Sequence, residues 1–321
     1  MLAATSAGVA LQRLYPPGQQ GNVPTRLVYL IGYDLPDHLV MADLALRWRW
    51  DVVFGPTAVI AAVGYLAAVR RLTRRGGFWP ATRTMAWLAG CAVLLIATSS
   101  GIGAYAPAMF SVHMVQHTLL ATLVPVLLVL GHGVGLLLEV SGPQTQVRVE
   151  SLLDAPALRF LCHPIVALCA VSATLFLLYP TGFYASIAQE HWAHICMNIA
   201  FLGTGLALYW PVLGYTFPGG GIPPLGRLVM IFAVMGLHSG FSVWLLAQSG
   251  PIAQPFFTSV HVSFVHDLLA DQRSGAIFAW ILGEIPTAMA VGALVIVWST
   301  ADRRIQPAWL LPDRSDRVAE L

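Results

Sequence analysis

The sequence predicts an all-α fold, a polytopic integral membrane helix bundle with about seven transmembrane helices. Hydrophobic residues make up 57% of the 321-residue chain and charged residues only 10%, whereas a soluble domain has about 25% charged residues. The mean hydropathy is +0.72. The apolar residues fall in runs of about 20, long enough for a helix to cross a bilayer. Helices are required because lipid offers backbone amides no hydrogen-bond partners.

The chain divides into three predicted parts. Residues 1–50 are a mixed extracytoplasmic leader broken by prolines, residues 51–300 form the seven-helix membrane domain, and residues 301–321 form a cytoplasmic tail. The predicted spans are, in order, 52–69, 85–105, 110–130, 160–179, 192–213, 228–247 and 275–298. The links between these spans are short, which favours a compact bundle.

All 17 basic residues are arginine, and their placement predicts the orientation. The links after spans one, three and five, together with the tail, carry most of them. Because basic residues favour the cytoplasmic side, the N-terminus is predicted outside and the C-terminus in the cytoplasm. The net charge of +2 is too small to indicate a nucleic-acid partner.

Histidines predicted at the outer face form the main candidate site. His113 and His117 are four residues apart, so they lie one turn apart on one face of the third span. Imidazoles in a membrane helix are costly unless they have a function. Four more histidines are predicted at the same level: His191, His194, His261 and His266. The alternative is that the pair only forms hydrogen bonds between helices.

Sulfur side chains accompany these histidines. Met114 follows His113, and a cysteine and a methionine follow His194 by two and three residues. Imidazole combined with thioether suits copper better than zinc and can hold Cu(I). The pattern therefore predicts a Cu(I) site in which His194 or His261 adds to the pair and Met114 tunes the metal. Methionine is also a common filler of hydrophobic cores.

Three further polar residues are candidates for functional roles. His238 and Glu284 lie about ten residues into the sixth and seventh predicted spans, so we expect them to pair or to share a proton. The alternative for Glu284 is a neutral, hydrogen-bonded packing residue. Asp271 is either a functional residue or the cap of the first turn of the last span.

A set of motifs runs through the chain in order. The most specific is Phe110-Ser111-x-His113-Met114-x-x-His117, followed by Pro125-x-Leu127-Leu128-Val129-Leu130-Gly131. The others are Trp210-Pro211-Val212-Leu213-Gly214, Arg227-Leu228, Asp271-Gln272, Ala279-Trp280 and Gly283-Glu284-x-Pro286. Together they resemble the signature of the CtaG-type cytochrome c oxidase assembly factors, those associated with caa3-type oxidases. The resemblance covers residues 45–305.

The resemblance implies a non-enzymatic, multi-pass protein of a bacterial plasma membrane that helps to mature a haem-copper oxidase. Its expected cofactor is copper, delivered at the outer face, and its expected partners are oxidase subunits and CopD-like or other copper proteins. Trp50-Asp51 and Trp79-Pro80 are similar to the actinobacterial branch, where this domain is often fused behind a CopD-like copper-resistance domain.

One position departs from the family pattern. Four residues after His194 the family commonly has another histidine, and this chain has Asn198. An amide is a poor copper ligand compared with imidazole. Either His191 compensates for the change or the fifth span is not part of the site.

Two other functions stay open on the sequence alone. A haem-binding membrane oxidoreductase would use histidines on two helices, such as His117 and His194, as axial ligands. A copper- or proton-coupled transporter would use His238 and Glu284 as a relay in mid-membrane. The chain shows no internal repeat, which counts against a repeat-built transporter.

Overall fold

The computed structural model of the chain describes residues 28, 31–36, 39–214 and 222–305, and the structural statements below concern those residues. Their regular structure consists of helices, which confirms the predicted all-α fold. Much of the predicted leader and most of the predicted tail lie outside the described residues, so the three-part division stays a prediction.

The helices follow one another with short connections, as the sequence predicts. In chain order they are α1 (Asp43–Leu46), α2 (Phe54–Arg74), α3 (Ala81–Ser99), α4 (Gly101–Tyr105), α5 (Phe110–Thr118), α6 (Val124–Leu130), α7 (Gly133–Val140), α8 (Pro143–Leu153), α9 (Pro156–Leu161), α10 (Pro164–Ser172), α11 (Phe183–Ile187), α12 (His191–Tyr209), α13 (Pro224–Leu246), α14 (Gln254–Val260) and α15 (Leu268–Ile305).

Among the described residues, five helical stretches are long and apolar enough to cross a membrane. They are Ala81–Tyr105, Phe110–Val140, Trp192–Leu213, Pro224–Leu246 and Leu268–Ile296. A membrane protein is therefore supported, but the predicted count of seven spans is not confirmed. The fourth predicted span corresponds to a shorter helix, Pro164–Leu177. The first predicted span corresponds to α2, whose last turn carries Arg71 and Arg74, which lower the mean hydropathy of the helix. The orientation of the termini stays a prediction.

Wider, π-helical turns interrupt the long helices at three places. Leu119–Leu123 joins α5 to α6, Ala173–Leu177 follows α10, and Trp210–Gly214 follows α12. Pro125 lies two residues after the end of the first of these turns, and Pro211 lies within the third. Proline lacks an N–H and clashes with the preceding turn of an α-helix, and a π turn relieves that clash. The first π turn begins two residues after His117, so it lies next to the histidine pair.

Glycines bring the last helix close to the helix that carries the histidine pair. α15 packs along both α5 and α13. A Cβ atom on Gly275 of α15 would lie 3.1 Å from Met114 Cγ, and one on Gly283 would lie 3.2 Å from the His238 ring. Small residues of this kind allow helices in a membrane to approach until their side chains interlock. The site is therefore held between α5, α12 and α15, whose relative positions depend on tight packing.

A pair of glycines on α12 tests this packing. A Cβ atom on Gly205 would collide with the carbonyl oxygen of Ala121 and lie 2.7 Å from Pro125 Cγ, whereas one on Gly203 would meet nothing within 4 Å. We expect Gly205→Ala to destabilise the protein by about 1–3 kcal/mol through overpacking. Gly203→Ala, on the same helix, should leave stability unchanged or slightly raised.

The measurement is the apparent Tm of each variant in detergent micelles, against the unsubstituted protein. A Tm for Gly205→Ala equal to that of Gly203→Ala would contradict the close contact between α12 and the π turn.

Candidate functional site

His113 and His117 form a buried pair in the interior of the bundle. Their side chains are 0% and 2% exposed, and their ring centroids are 3.9 Å apart. The separation follows from their positions on α5, one turn apart on the same face. The helix therefore places the two imidazoles side by side, as predicted, and both are buried from solvent.

The hydroxyl of Tyr179 bridges the two rings. It lies 3.0 Å from His113 Nε2 and 3.1 Å from His117 Nδ1. Tyr179 is 2% exposed and lies between the π turn at Ala173–Leu177 and α11. Because a hydroxyl has one proton, Tyr179 donates to one imidazole at most, and at least one imidazole donates its N–H to the Tyr179 oxygen. Tyr179 therefore restricts which nitrogen of each ring carries a proton.

The far nitrogens of the pair lack well-formed hydrogen bonds. His113 Nδ1 and His117 Nε2 are buried, and neither makes a hydrogen bond of good geometry to a described residue, although the Asn198 side chain lies beside His117. A buried polar atom without a partner costs about 1–3 kcal/mol, so each such atom in a native structure requires an explanation. If both rings donate to Tyr179, both far nitrogens carry lone pairs, which is the state in which imidazole binds a metal.

Aromatic rings cover the pair on several sides. Tyr184 lies 4.8 Å from the His113 ring, Phe201 lies 4.2 Å from the His117 ring, and Phe110 lies 6.0 Å from the His113 ring, all measured between centroids. These rings pack directly against the two imidazoles, so a flat macrocycle could bind between them only if the rings moved apart. The pair is therefore enclosed by aromatic side chains.

α12 contributes two polar side chains beside the pair. The His194 ring lies 6.2 Å from the His113 ring, and His194 Nε2 donates to the Ala188 carbonyl over 3.0 Å. The Asn198 side chain interacts with His117. Asn198 is 7% exposed, and its Oδ1 makes no hydrogen bond to a described residue. The fifth predicted span thus lies against the pair, and the position that departs from the family pattern faces His117.

Asp271 positions the helix that carries the pair. α5 begins at Phe110 with no capping side chain from Met109, the residue before it. Asp271 Oδ2 instead accepts from the backbone N–H groups of Phe110 and Ser111, over 2.8 and 3.3 Å, and the Ser111 hydroxyl donates to Asp271 Oδ1. A carboxylate there satisfies free N–H groups and complements the positive end of the helix.

Asp271 lies in the first turn of α15, as expected. The free N–H groups of that turn are capped by Asp267, which accepts from Leu269 and Ala270, whereas the carboxylate of Asp271 caps α5. Asp271, one turn further along, faces α5 across the helix interface. Which helix lies opposite a given residue is a property of the assembled bundle.

Other predicted site residues lie apart from the pair. Met114 is buried against Gly275 of α15, which is a packing contact. His261 and His266 are exposed on the segment between α14 and α15. The side chain of His191 lies outside the described residues. Within the described ranges, no group of three or more His, Cys, Asp or Glu side chains has the arrangement of a metal site. The structure thus brings together two imidazoles, with His194 nearby.

His238 and Glu284 were expected to pair, but each makes its hydrogen bond to a different partner. Glu284 Oε1 accepts from the Ser239 hydroxyl over 2.8 Å, and His238 Nδ1 donates to the Val234 carbonyl over 3.1 Å. Neighbouring residues on a helix point about 100° apart. Ser239 therefore faces Glu284, while the His238 ring lies against Gly283.

Sequence reasoning missed Tyr179 and Tyr184. Both lie near the end of the fourth predicted span. Tyrosines are common at membrane interfaces, so their position there carries no specific signal. Only the folded arrangement shows that one of them bridges the histidines.

Comparisons with known proteins give consistent results. A family model described as cytochrome c oxidase caa3 assembly factor (Caa3_CtaG) matches residues 63–301. The chain is 37% identical over 297 residues to Uncharacterized protein Mb0105 of Mycobacterium bovis, which covers 90% of this chain and 44% of that protein. It is 34% identical over 282 residues to Uncharacterized protein ML1998 of Mycobacterium leprae, which covers 86% and 43%. The chain thus spans less than half the length of these relatives. No solved structure matches it.

The cap on α5 leads to a testable prediction. Asp271→Ala leaves the first N–H groups of a buried helix without an acceptor, so we expect a loss of about 0.5–2 kcal/mol of stability. Asp267→Ala is the matched control and should cost less, because Asp267 caps an exposed turn of the same helix, where water can replace the carboxylate. The apparent Tm in detergent measures both. Equal shifts for the two variants would contradict the role of Asp271 in holding α5.

Proposed function

Because the chain belongs to the Caa3_CtaG family of cytochrome c oxidase caa3 assembly factors, we propose that its His113–His117 pair holds one Cu(I) ion during oxidase assembly. The family resemblance inferred from the motifs is confirmed by this match. Membership of the family supports a link to oxidase assembly, and the handling of copper is the further step. We also propose that the protein acts without catalysing a reaction, as a carrier or chaperone for the metal.

The observation that carries the proposal is the pair of buried imidazole nitrogens that make no well-formed hydrogen bond, His113 Nδ1 and His117 Nε2. Imidazole is a good ligand for copper. A structural zinc site almost always has four ligands, and catalytic zinc sites have three protein ligands. Cu(I) accepts fewer ligands, so two imidazoles suit it better than they suit Zn²⁺. A site with few ligands also releases its metal readily, as an assembly factor requires.

Tyr179 is the positioning residue of the proposed site. When both imidazoles donate to its hydroxyl oxygen, the opposite nitrogen of each ring is free to bind the ion. Residues that orient metal-binding histidines in this way commonly fix the protonated nitrogen and the ring plane. His194 lies close enough to add a third imidazole after a side-chain movement, and Met114 contributes packing rather than sulfur.

The two alternative functions have less support. A haem at the pair would require the aromatic rings that pack against His113 and His117 to move apart. A transporter relay through His238 and Glu284 would require the two to share a proton, but each has another hydrogen-bond partner. Oxidase subunits and CopD-like or other copper proteins remain the proposed partners, and a bacterial plasma membrane the proposed location.

The first test is in cells. In a strain whose caa3-type oxidase depends on this protein, we expect the combined His113→Ala and His117→Ala variant to lower oxidase activity in membranes roughly tenfold or more. Met114→Leu and His266→Ala should retain activity, since the first residue packs against Gly275 and the second is exposed. Immunoblotting checks that each variant is present in the membrane. Full oxidase activity in the double histidine variant would overturn the proposal.

The second test separates Tyr179 from its neighbour. Tyr179→Phe keeps the ring but removes the hydroxyl that bonds both histidines, so the Cu(I) affinity of the purified protein should fall about 10–100-fold. Tyr184→Phe is the matched control, because the Tyr184 hydroxyl is buried without a partner among the described residues. Affinity is measured by competition with a coloured Cu(I) chelator. Equal affinities in the two variants would show that Tyr179 does not position the ligands.

A further inference from the structure

A pocket lined by both polar and apolar side chains lies next to the histidine pair. It is bounded on one side by the segment before α2, with Tyr33, Arg49 and Asp51, and on the other by Gln116, His194 and Asn198. The segment is anchored, because Tyr33 donates to the Ala104 carbonyl and the Arg49 guanidinium stacks on the Tyr33 ring at 3.7 Å. The pocket therefore lies between α12 and the anchored segment that precedes α2.

The inner wall of this pocket borders the His113–His117 pair. Asn198 belongs to both, since it lines the pocket and interacts with His117. Its Oδ1 is buried and has no hydrogen-bond partner among the described residues. His194 also lines the pocket, and its ring lies 6.2 Å from that of His113. One side of the pair is thus separated from the pocket by two polar side chains.

The other described surroundings of the pair are closed. Phe110, Tyr184 and Phe201 cover the rings, and Phe257 lies behind Phe110 and Tyr184 at 6.1 and 6.4 Å between centroids. A metal ion does not cross a wall of aromatic carbon without losing all its ligands. Polar side chains that supply oxygen and nitrogen lower that cost.

The outer part of the pocket is balanced in charge. Burial raises the pKa of Tyr33 to about 12, although the nearby Arg49 opposes this shift, so the phenol stays neutral at physiological pH. Asp51 faces the pocket with a carboxylate that also accepts from Val53 and Phe54 N–H at the start of α2. One cation and one anion therefore line the outer part, and the imidazole and the amide line the inner part.

We propose that this pocket is the route by which Cu(I) reaches the His113–His117 pair, with His194 and Asn198 as the groups that pass it inward. The inference rests on the proposed function. The ion would pass along the pocket wall from His194 to the His113–His117 pair. The Asn198 amide oxygen, a weak copper ligand, would bind it only briefly just before it reaches His117. An amide at this position favours passage, because it gives the ion no tight third ligand beside His117.

The route can be blocked without altering the pair. Ile195 lines the pocket, whereas Ile199 lies one turn further along α12 and is 52% exposed. Ile195→Trp fills the pocket, and Ile199→Trp is the matched control on the same helix. Purified protein in detergent is mixed with the coloured Cu(I) complex of bicinchoninate, and both the rate of copper uptake and the affinity at equilibrium are measured.

We expect Ile195→Trp to slow uptake roughly tenfold or more, with equilibrium affinity within about threefold of the unsubstituted protein, since gating changes rates more than affinities. Ile199→Trp should match the unsubstituted protein in both. Unchanged uptake in Ile195→Trp would overturn the route while leaving the histidine site intact. Failure of the unsubstituted protein to take up copper would overturn both the route and the proposed function.

A second variant keeps the test decisive if Ile195→Trp does not yield folded protein. Asn198→Leu has a similar side-chain volume and removes the amide between the pocket and His117. We expect slower uptake in this variant, with His113 and His117 still binding the ion. An uptake rate equal to that of the unsubstituted protein would overturn the proposal.

Discussion

The site depends on one contact between distant parts of the chain, the carboxylate of Asp271 at the first turn of α5. The first N–H groups of a helix have no partner within the helix, and a membrane interior supplies none. Met109 cannot cap α5, so Asp271 of α15 accepts from Phe110 and Ser111 instead. This contact fixes the depth of α5 against α15. It also sets the height at which His113 and His117 meet Tyr179.

Close helix packing continues from this cap to the histidine pair. Gly275 lets α15 approach Met114 directly below the cap, and the π turn at Leu119–Leu123 follows directly after the pair. π turns are frequent at functional sites because they redirect side chains at a small cost in hydrogen bonding. The two imidazoles, the bridging phenol and the surrounding aromatic rings together make a buried cluster in which one nitrogen of each imidazole lacks a well-formed hydrogen bond. The proposed use of the cluster for copper follows from those two nitrogens.

The sequence predicted the parts of the site that depend on local periodicity. Composition and apolar runs predict helices in a membrane, and the spacing of His113 and His117 places them on one face. His194 of the fifth predicted span lies beside the pair, and its role as a ligand stays a prediction. The cap by Asp271, the bridge by Tyr179 and the contact of Glu284 with Ser239 were not predictable, because they depend on which helix faces which. Five candidate spans were found in the described part of the chain instead of the seven predicted. α2 carries arginines in its last turn, and the helix Pro164–Leu177 is shorter than a membrane span.

The most direct test is X-ray absorption at the copper edge of purified protein loaded with one equivalent of Cu(I), together with a visible spectrum. The account predicts bound Cu(I) with a low-coordinate shell of nitrogen ligands, no sulfur contribution and no haem absorption band. Loss of this shell in the combined His113→Ala and His117→Ala variant would locate it at the pair. A sulfur-dominated shell, a haem band, or copper retained unchanged in the double variant would contradict the account.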